Sequence, residues 1–495
     1  MAPMARAPLA LRLPSSRLLL LVSAATASSA SSASAPPAAP GAATLLAHVV
    51  DNRTIFGQCA VALQGARDPV LMYSSWVYAP DALSGLRPSP AGGGNATRWR
   101  LDTTRVLKYN TLLVASTRDV APAAGGAAPP RVDSLLYWNE KPAGIAGQCA
   151  LIGFNSQARA DPSGAGFWRR NLTDDCINVN DGATTHRWFS ISADGATAAA
   201  FTTDSDNNFT FHGIDAQTGA VLWRHVEPSP PPAEAQGWLS YGIQVARGGA
   251  WATFNVGTAG LTPQFFYVLD ARTGAVRADP VVSPGLLQPQ LSDDGALLCA
   301  SEEAAPQLGA FSVHRWDEAA GAYAQAGAQA APVAPSANGW RLVKAVFSAD
   351  AAANRTLLAV AWLDAGITGP NLVALYDAAH VERGPLVSYL QRAVAGSGYA
   401  TDDLDLSCAE HVCACGFWSQ AVDGSQTTLV VLSAKNATGP VLEFATPGSI
   451  SAVSVARASG GDAAAAPFFV GAAGCSSIGS CIRPGGDAYL WSIAA

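Results

Sequence analysis

The stretch Asp215-Ala216-Gln217-Thr218-Gly219-Ala220-Val221-Leu222-Trp223 returns as Asp270-Ala271-Arg272-Thr273-Gly274-Ala275-Val276. In each copy an apolar run, Phe209 to Ile214 or Phe265 to Leu269, enters a turn whose Asp and Thr can accept hydrogen bonds from nearby backbone N–H groups. A glycine then supplies a positive φ and an apolar run leaves, which is the pattern of a β-hairpin. Looser copies are headed by Asp317, Asp377 and Ser433, so the five hairpins stand 47 to 60 residues apart.

A local sequence that returns at such a period marks a repeat architecture, and the period sits at or slightly above the roughly 40–50 residues of a four-stranded propeller blade. From His186 onward each unit reads strand, tight turn, strand, hairpin, strand. Ser192-Ala193-Asp194-Gly195 and Ser292-Asp293-Asp294-Gly295 mark the early turns. The region from Leu45 to Asp181 marks the repeat poorly, with strands predicted at Cys59 to Leu63, Val70 to Tyr78, Val106 to Ser116, Val132 to Trp138 and Cys149 to Phe154. Pro88 to Gly94 and Pro122 to Pro130 read as surface loops. The last unit ends at Asp487 to Ile493 with no room for a further strand, so Leu45 to Val50 or Cys59 to Leu63 is expected to supply it and close the ring. The expectation is an all-β chain: one closed propeller over 44–495, of seven blades, with eight as the alternative. A pair of β-sandwiches is the rival, but sandwiches have no reason to repeat one hairpin at blade spacing.

Composition agrees. Only 14% of residues are charged, while Gly (47) and Pro (32) are plentiful, which suits short strands joined by many turns and argues against a helical protein. A net charge of −7 leaves no electrostatic footprint for nucleic acid.

The units resemble the WD40-like and quinoprotein-like propeller superfamily, through Ser192 to Gly195 with Ile214 to Gly219, Ser292 to Gly295, and Tyr267-Val268-Leu269-Asp270-Ala271-Arg272-Thr273-Gly274. The resemblance covers 186–495 better than 45–185, and its motifs describe how a blade turns. Quinoprotein dehydrogenases of this superfamily have an adjacent Cys-Cys pair beside the quinone and a docking tryptophan in every blade. This chain has no Cys-Cys dipeptide, and Trp188, Trp238 and Trp340 stand at the start of an early strand instead. Quinone binding, a metal and dehydrogenase activity are therefore not carried over.

The N-terminus speaks of compartment. Arg6, Arg12 and Arg17 precede Leu18-Leu19-Leu20-Leu21-Val22, and Ala25-Thr26-Ala27 offers a small-x-small cleavage site, so residues 1–27 read as a secretory signal peptide. The apolar core is well short of the roughly 20 residues that span a bilayer. An organelle transit peptide is the other reading, countered by N-x-[ST] sequons at Asn52, Asn95, Asn171, Asn208, Asn354 and Asn436. Residues 28–43 form an Ala/Ser/Pro linker. A glycoprotein that is secreted or held in the lumen of the secretory or endolysosomal pathway is expected, with no membrane span after cleavage and a monomeric state.

Nine cysteines fit an oxidising compartment and leave at least one unpaired. Cys299 looks like a buried free thiol. Cys475 pairs readily with Cys481 across a short loop, and Cys149 and Cys176 are further disulfide candidates. Cys408-Ala409-Glu410-His411-Val412-Cys413-Ala414-Cys415 gathers three thiols, an imidazole and a carboxylate, which suits zinc or copper. It lacks the paired C-x2-C spacing, so a disulfide from Cys408 to Cys413 or Cys415 is the preferred reading.

The histidines lie apart, and no nucleophile elbow, P-loop or dinucleotide fingerprint is present. Asp204 to Asn208 presents alternating oxygens but lacks the Gly and distal Glu of an EF-hand, and Thr401 to Asp405 is a second acidic cluster; either suits weak Ca²⁺ binding. A glycosylated turn and a solvated loop account for them, and no cofactor is expected. Trp76, Trp99, Trp138 and Trp168 lie near loops where aromatic platforms for sugars occur, but core packing is the default for tryptophan. Two functions remain: a non-catalytic module binding a protein or a glycan, and a propeller hydrolase or lyase whose catalytic groups converge from several loops.

Overall fold

The structure is a computed structural model. It describes residues 43–51, 55–63, 69–76, 82–87, 97–102, 112–115, 132–140, 147–156, 168–176, 189–203, 209–227, 238–258, 264–277, 281–283, 290–302, 309–333, 339–364, 370–391, 401–419, 427–446, 449–458, 466–475 and 486–494. The signal peptide, the linker up to residue 42, and both proline-rich insertions lie outside the described residues.

Strand β1 (Ala43–Asp51) comes first. Sheet 1 then holds β2 (Ile55–Leu63), β3 (Pro69–Trp76), β4 (Ala82–Arg87) and β5 (Thr97–Asp102). Sheet 2 holds β6 (Leu112–Ala115), β7 (Ser134–Glu140), β8 (Gly147–Phe154) and β9 (Trp168–Cys176). Sheet 3 comprises β10 (Phe189–Ile191), β11 (Thr197–Thr203), β12 (Phe209–Asp215) and β13 (Val221–Glu227), and sheet 4 comprises β14 (Trp238–Val245), β15 (Trp251–Thr258), β16 (Gln264–Asp270) and β17 (Val281–Ser283). In sheet 5 are β18 (Gln290–Leu291), β19 (Leu297–Ser301), β20 (Phe311–Asp317) and β21 (Ala322–Gln329). Sheet 6 contains β22 (Trp340–Asp350), β23 (Arg355–Asp364), β24 (Asn371–Asp377) and β25 (Val387–Gln391), and sheet 7 contains β26 (Thr401–Ala409), β27 (Val412–Ser419), β28 (Thr427–Ser433) and β29 (Leu442–Ala445). Sheet 8 is built from β30 (Ser449–Arg457), β31 (Phe468–Cys475), β32 (Gly486–Ile493) and, at its outer edge, β1.

All eight sheets are four-stranded and antiparallel. The described residues include no helix long and apolar enough to cross a membrane. The expected N-terminal strand is present: β1 pairs with β32 from Ala43↔Ile493 to Asp51↔Gly486 and covers what would otherwise be an open edge. The described residues form eight sheets, one more than the preferred seven and equal to the alternative of eight. Sheet 8 escaped the hairpin count because its outer strand comes from the other end of the chain, so it has no third turn and no hairpin motif. The early strands β4, β5 and β9 also went unpredicted.

The five hairpins form as the sequence dictates. The Asp215 carboxylate accepts from the N–H groups of Gln217 and Thr218, both at 2.9 Å, and Gly219 N–H donates to Asp215 C=O at 2.8 Å. The Asp270 carboxylate does the same for Arg272 and Thr273, Asp317 for Ala319 and Ala320, Asp377 for Ala379, and the Ser433 hydroxyl for Lys435. Gly219 and Gly274 take φ values of +69° and +72°. In the early turns, Ser192 and Ser292 accept from the N–H of Thr197 and Leu297 while donating to Asp194 and Asp294.

Apolar layers lie between neighbouring sheets, and they explain the alanine content. Ala198 to Ala200, Ala359 and Ala361 are wholly buried on second strands, where sheets approach closely, while aromatic side chains fill the space beyond. Phe211 of sheet 3 stacks on Phe254 of sheet 4 at 3.7 Å between centroids, and Phe254 stacks on Tyr267. Neighbouring sheets touch in cyclic order: β2 meets β6, β6 meets β10, β10 meets β14, β15 meets β18, β18 meets β22, β22 meets β26, β26 meets β30, and β30 returns to β2.

Candidate functional site

The first strand of each sheet has a neighbour on one side only, so its other row of N–H and C=O groups needs partners. Side chains of adjacent sheets supply them. Gln244 Oε1 accepts from Leu291 N–H at 3.3 Å, joining sheets 4 and 5. Asp405 Oδ2 and Ser407 Oγ accept from the N–H groups of Val453 and Val455 at 2.8 and 3.0 Å, joining sheets 7 and 8. Ser454 Oγ accepts from Val61 N–H at 3.0 Å and Cys59 Sγ donates to Ala452 C=O at 3.2 Å, joining sheet 8 to sheet 1. Burial, and the Asp405 charge after it, push the Cys59 thiol well above its ordinary pKa.

Asp405 also pairs with Lys344 of sheet 6. Thr401 to Asp405 is therefore no solvated loop but part of β26, and the Asp405 carboxylate serves the contact between sheets. Asp204 to Asn208 lies outside the described residues.

A charged cluster gathers where the first strands turn into the second. Arg247, in the first turn of sheet 4, reaches sheets 6 and 7: its Nη1 donates to Ser348 Oγ at 3.0 Å and to Cys408 C=O at 2.6 Å. Arg355 Nε donates to Asp350 Oδ2 at 3.2 Å within sheet 6, and Arg457 of sheet 8 pairs with Glu410 of sheet 7. Burial lowers the Arg457 pKa, opposed by the nearby Asp350 charge. Glu410 sits in a tight turn at φ +48°, a left-handed conformation that costs a non-glycine residue on the order of 1–3 kcal/mol.

A disulfide holds that turn. Cys408 and Cys413 are register partners across β26 and β27, bonded with Cα atoms 4.1 Å apart. This chooses between the two pairings open in the sequence, and it leaves Cys415, a disulfide candidate, as a buried free thiol along with Cys59 and Cys299. Burial raises the Cys415 and Cys299 thiols. With two of its three sulfurs bonded to each other, the cluster offers no zinc-type ligand set, and among the described residues no group of three metal-type side chains is found. His411 packs edge-on against Phe468, 4.8 Å between centroids. Cys149 is disulfide-bonded. Cys481 and the side chains of Cys176 and Cys475 lie outside the described residues, as do Asn52, Asn95 and Asn208.

Of the other histidines, His212 is buried and neutral: its Nε2 lies 3.1 Å from Thr202 Oγ1, and burial, aided by Arg224, lowers its pKa to about 3. His48 stacks on Tyr489 and lies 3.0 Å from Asp487 across the β1–β32 pairing.

Two tryptophans join neighbouring sheets. Trp168, on the last strand of sheet 2, donates its Nε1–H to Ala216 C=O in the sheet 3 hairpin at 3.0 Å. Trp223, on the last strand of sheet 3, donates to Ala271 C=O in the sheet 4 hairpin at 2.8 Å. A Cβ at Gly219 would meet the Trp168 ring at 2.5 Å, and one at Gly274 would meet the Trp223 ring at 2.7 Å. Each ring thus docks onto the glycine of the following hairpin. The signal lies in the repeat Asp215 to Trp223, which ends on the docking tryptophan itself. Sheets 4 and 5 are joined differently: the Arg277 guanidinium lies between Trp251 and Trp316, 4.0 Å from each ring, and donates to Gly295 C=O. Trp340, by contrast, is a core residue, bonded to Val333 C=O. The side chains of Trp76, Trp99 and Trp138 lie outside the described residues.

No protein-family model matches the chain, and no curated protein matches it. Among solved structures it is similar to Sqt1 from Saccharomyces cerevisiae, with a TM-score of 0.50 and 10% identity over 91% of this chain and 99% of that one. It is also similar to the Dos1 propeller, with a TM-score of 0.47 and 10% identity over 91% and 95% of the two chains. The fold resembles that of WD40-type β-propellers. Prolyl oligopeptidase B from Galerina marginata is a more distant likeness, at a TM-score of 0.45 and 8% identity over 85% of this chain and 56% of that one. At these identities the likeness concerns the propeller fold alone.

Proposed function

We propose that the chain is a secreted or endomembrane glycoprotein whose eight sheets are the blades of one closed propeller, shut by its N-terminal strand. It acts as a non-catalytic binding or scaffold module for a protein or a glycan. The cyclic contacts between sheets, and the side chains that stitch sheet 8 to sheet 1, support the closed ring. The disulfides at Cys408–Cys413 and at Cys149 support an oxidising compartment.

The observation that carries the non-catalytic reading is the state of the charged cluster. Arg247 is committed to Ser348 and a backbone carbonyl, Arg355 to Asp350, and Arg457 to Glu410. Arg247 and Arg457 hold turns of different sheets together and Arg355 braces a turn within sheet 6, so each of these charges has a structural partner.

The test uses the full-length protein secreted from a eukaryotic host, assayed against immobilised glycans and secreted proteins for saturable binding, and against glycoside and peptide substrates for turnover. Secretion and binding without turnover is the expected result. Turnover that disappears in Glu410→Gln with the fold intact would overturn the reading in favour of an enzyme.

A further inference from the structure

The asparagines whose side chains are described divide into two groups. Asn155 and Asn371, outside any sequon, are buried at 5% and 1% exposure. The three that head sequons, Asn171, Asn354 and Asn436, are not buried. Each sequon ends in Thr, at Thr173, Thr356 and Thr438. Local structure explains part of this. Asn tolerates the left-handed φ of +48° at Asn354, and Asn436 Oδ1 accepts from the Thr438 hydroxyl at 2.6 Å as a turn residue would. It explains neither Thr356 nor Asn171, which stands exposed on the last strand of sheet 2.

The positions share a geometry. Antiparallel strands alternate in direction, so the first and third turns of a four-stranded sheet lie at one end. Asn354 is in the first turn of sheet 6, beside the Asp350–Arg355 pair, and Asn436 is in the third turn of sheet 7. Sheets 6 and 7 are neighbours through β22 and β26. Both sequons therefore stand at the end that carries the charged cluster.

Resting on the secretory reading above, we propose that Asn171, Asn354 and Asn436 carry N-linked oligosaccharides. The two on sheets 6 and 7 screen the turn end of those sheets from macromolecules. Modification joins Asn Nδ2 to C1 of an oligosaccharide. The bond from that C1 to a lipid-pyrophosphate donor breaks, the lipid pyrophosphate leaves, and one amide proton is lost to a base. The sugar must remain outside the folded protein, which these three positions allow and Asn155 or Asn371 would not.

The test compares full-length protein secreted by a eukaryotic host with protein made in the oxidising periplasm of a bacterium that does not glycosylate. Glycopeptide mass spectrometry should find sugar at all three asparagines. Thr356→Ala and Thr438→Ala should each remove one mobility step, which Thr356→Ser and Thr438→Ser restore. Limited trypsin reads the screening: cleavage after Arg383, exposed at the turn end of sheet 6, should slow in the glycoprotein, whereas cleavage after Arg272, exposed on the equivalent hairpin of sheet 4, should not. Sugar only at other sequons, or equal cleavage after Arg383 in both proteins, defeats this inference and leaves the secretory reading standing. Absence of sugar from every sequon of a secreted product defeats both.

Discussion

Replacing Gly274 with Ala should destabilise the propeller far more than the same change at Gly321, although the two glycines occupy equivalent hairpins. Gly274 N–H donates to Asp270 C=O at 2.9 Å with φ +72°, and Gly321 N–H donates to Asp317 C=O at 2.8 Å with φ +60°. A side chain in the left-handed region costs about 1–2 kcal/mol at either position. The difference lies in what the new methyl group meets. At Gly321 there is nothing within 4 Å, whereas at Gly274 the Cβ would lie 2.7 Å from both Cγ and Cδ2 of Trp223. That ring cannot retreat freely, because its Nε1 and Cε2 already lie close against Gly213 and its Nε1–H is bonded to Ala271 C=O. Overpacking adds roughly 1–3 kcal/mol, and loss of the indole hydrogen bond about 1 kcal/mol. Gly321→Ala should therefore cost about 1–2 kcal/mol and Gly274→Ala roughly 2–4 kcal/mol more. Urea unfolding followed by tryptophan fluorescence measures both. Equal losses would refute the docking of Trp223 on the next blade and reduce the hairpin glycine to a matter of backbone conformation.

Three further outcomes are expected. His212 has a folded-state pKa of about 3 against an ordinary value near 6.5, so the unfolded chain binds its proton first. Its contribution to stability is whole above about pH 6.5 and is lost as pH falls toward 3, by up to about 1.4 kcal/mol per pH unit. Unfolding free energy measured from pH 7 to 5 should show this slope in the wild type and lose it in His212→Gln; an unchanged slope assigns it elsewhere. Replacing Cys408 and Cys413 together by Ser should cost about 2 kcal/mol, as expected for a short loop, and protein purified without chelator should carry no stoichiometric zinc. Stoichiometric zinc in the wild type would contradict the disulfide. Arg247→Ala, which frees Ser348 and the Cys408 carbonyl, should lower the unfolding free energy measured in urea by about 2–3 kcal/mol; a change within error would mean that the arginine does not bridge blades.

The hairpins of sheets 3 to 7 were legible because their turns are local: an Asp or Ser, three or more residues and a glycine contain the whole geometry. What was not legible depends on residues distant in the chain. Thr401 to Asp405 looks like a solvated acidic loop, because nothing nearby in sequence reveals that Asp405 faces Lys344 and the N–H of Val453, 61 and 48 residues away. Strand β9 begins Trp168-Arg169-Arg170-Asn171, polar enough to pass for a loop, because a last strand has one exposed edge. Sheet 8 lacked its hairpin because β1 is contributed from the opposite end of the chain. The candidate site fared similarly. The Cys408–Cys413 pairing was one of two open choices, while the arrival of Arg247 and Arg457 at the same cluster depends on contacts between residues far apart in the chain and has no local signature.

The closed ring is tested most directly by joining its two ends. Thr44 and Ser492 are register partners across β1 and β32, 448 residues apart in sequence. A Thr44→Cys, Ser492→Cys variant, oxidised and digested, should yield a single peptide pair linked through positions 44 and 492 in a monomer, with unchanged circular dichroism. Free thiols at both positions, or a dimer linked through them, would contradict closure by the N-terminal strand.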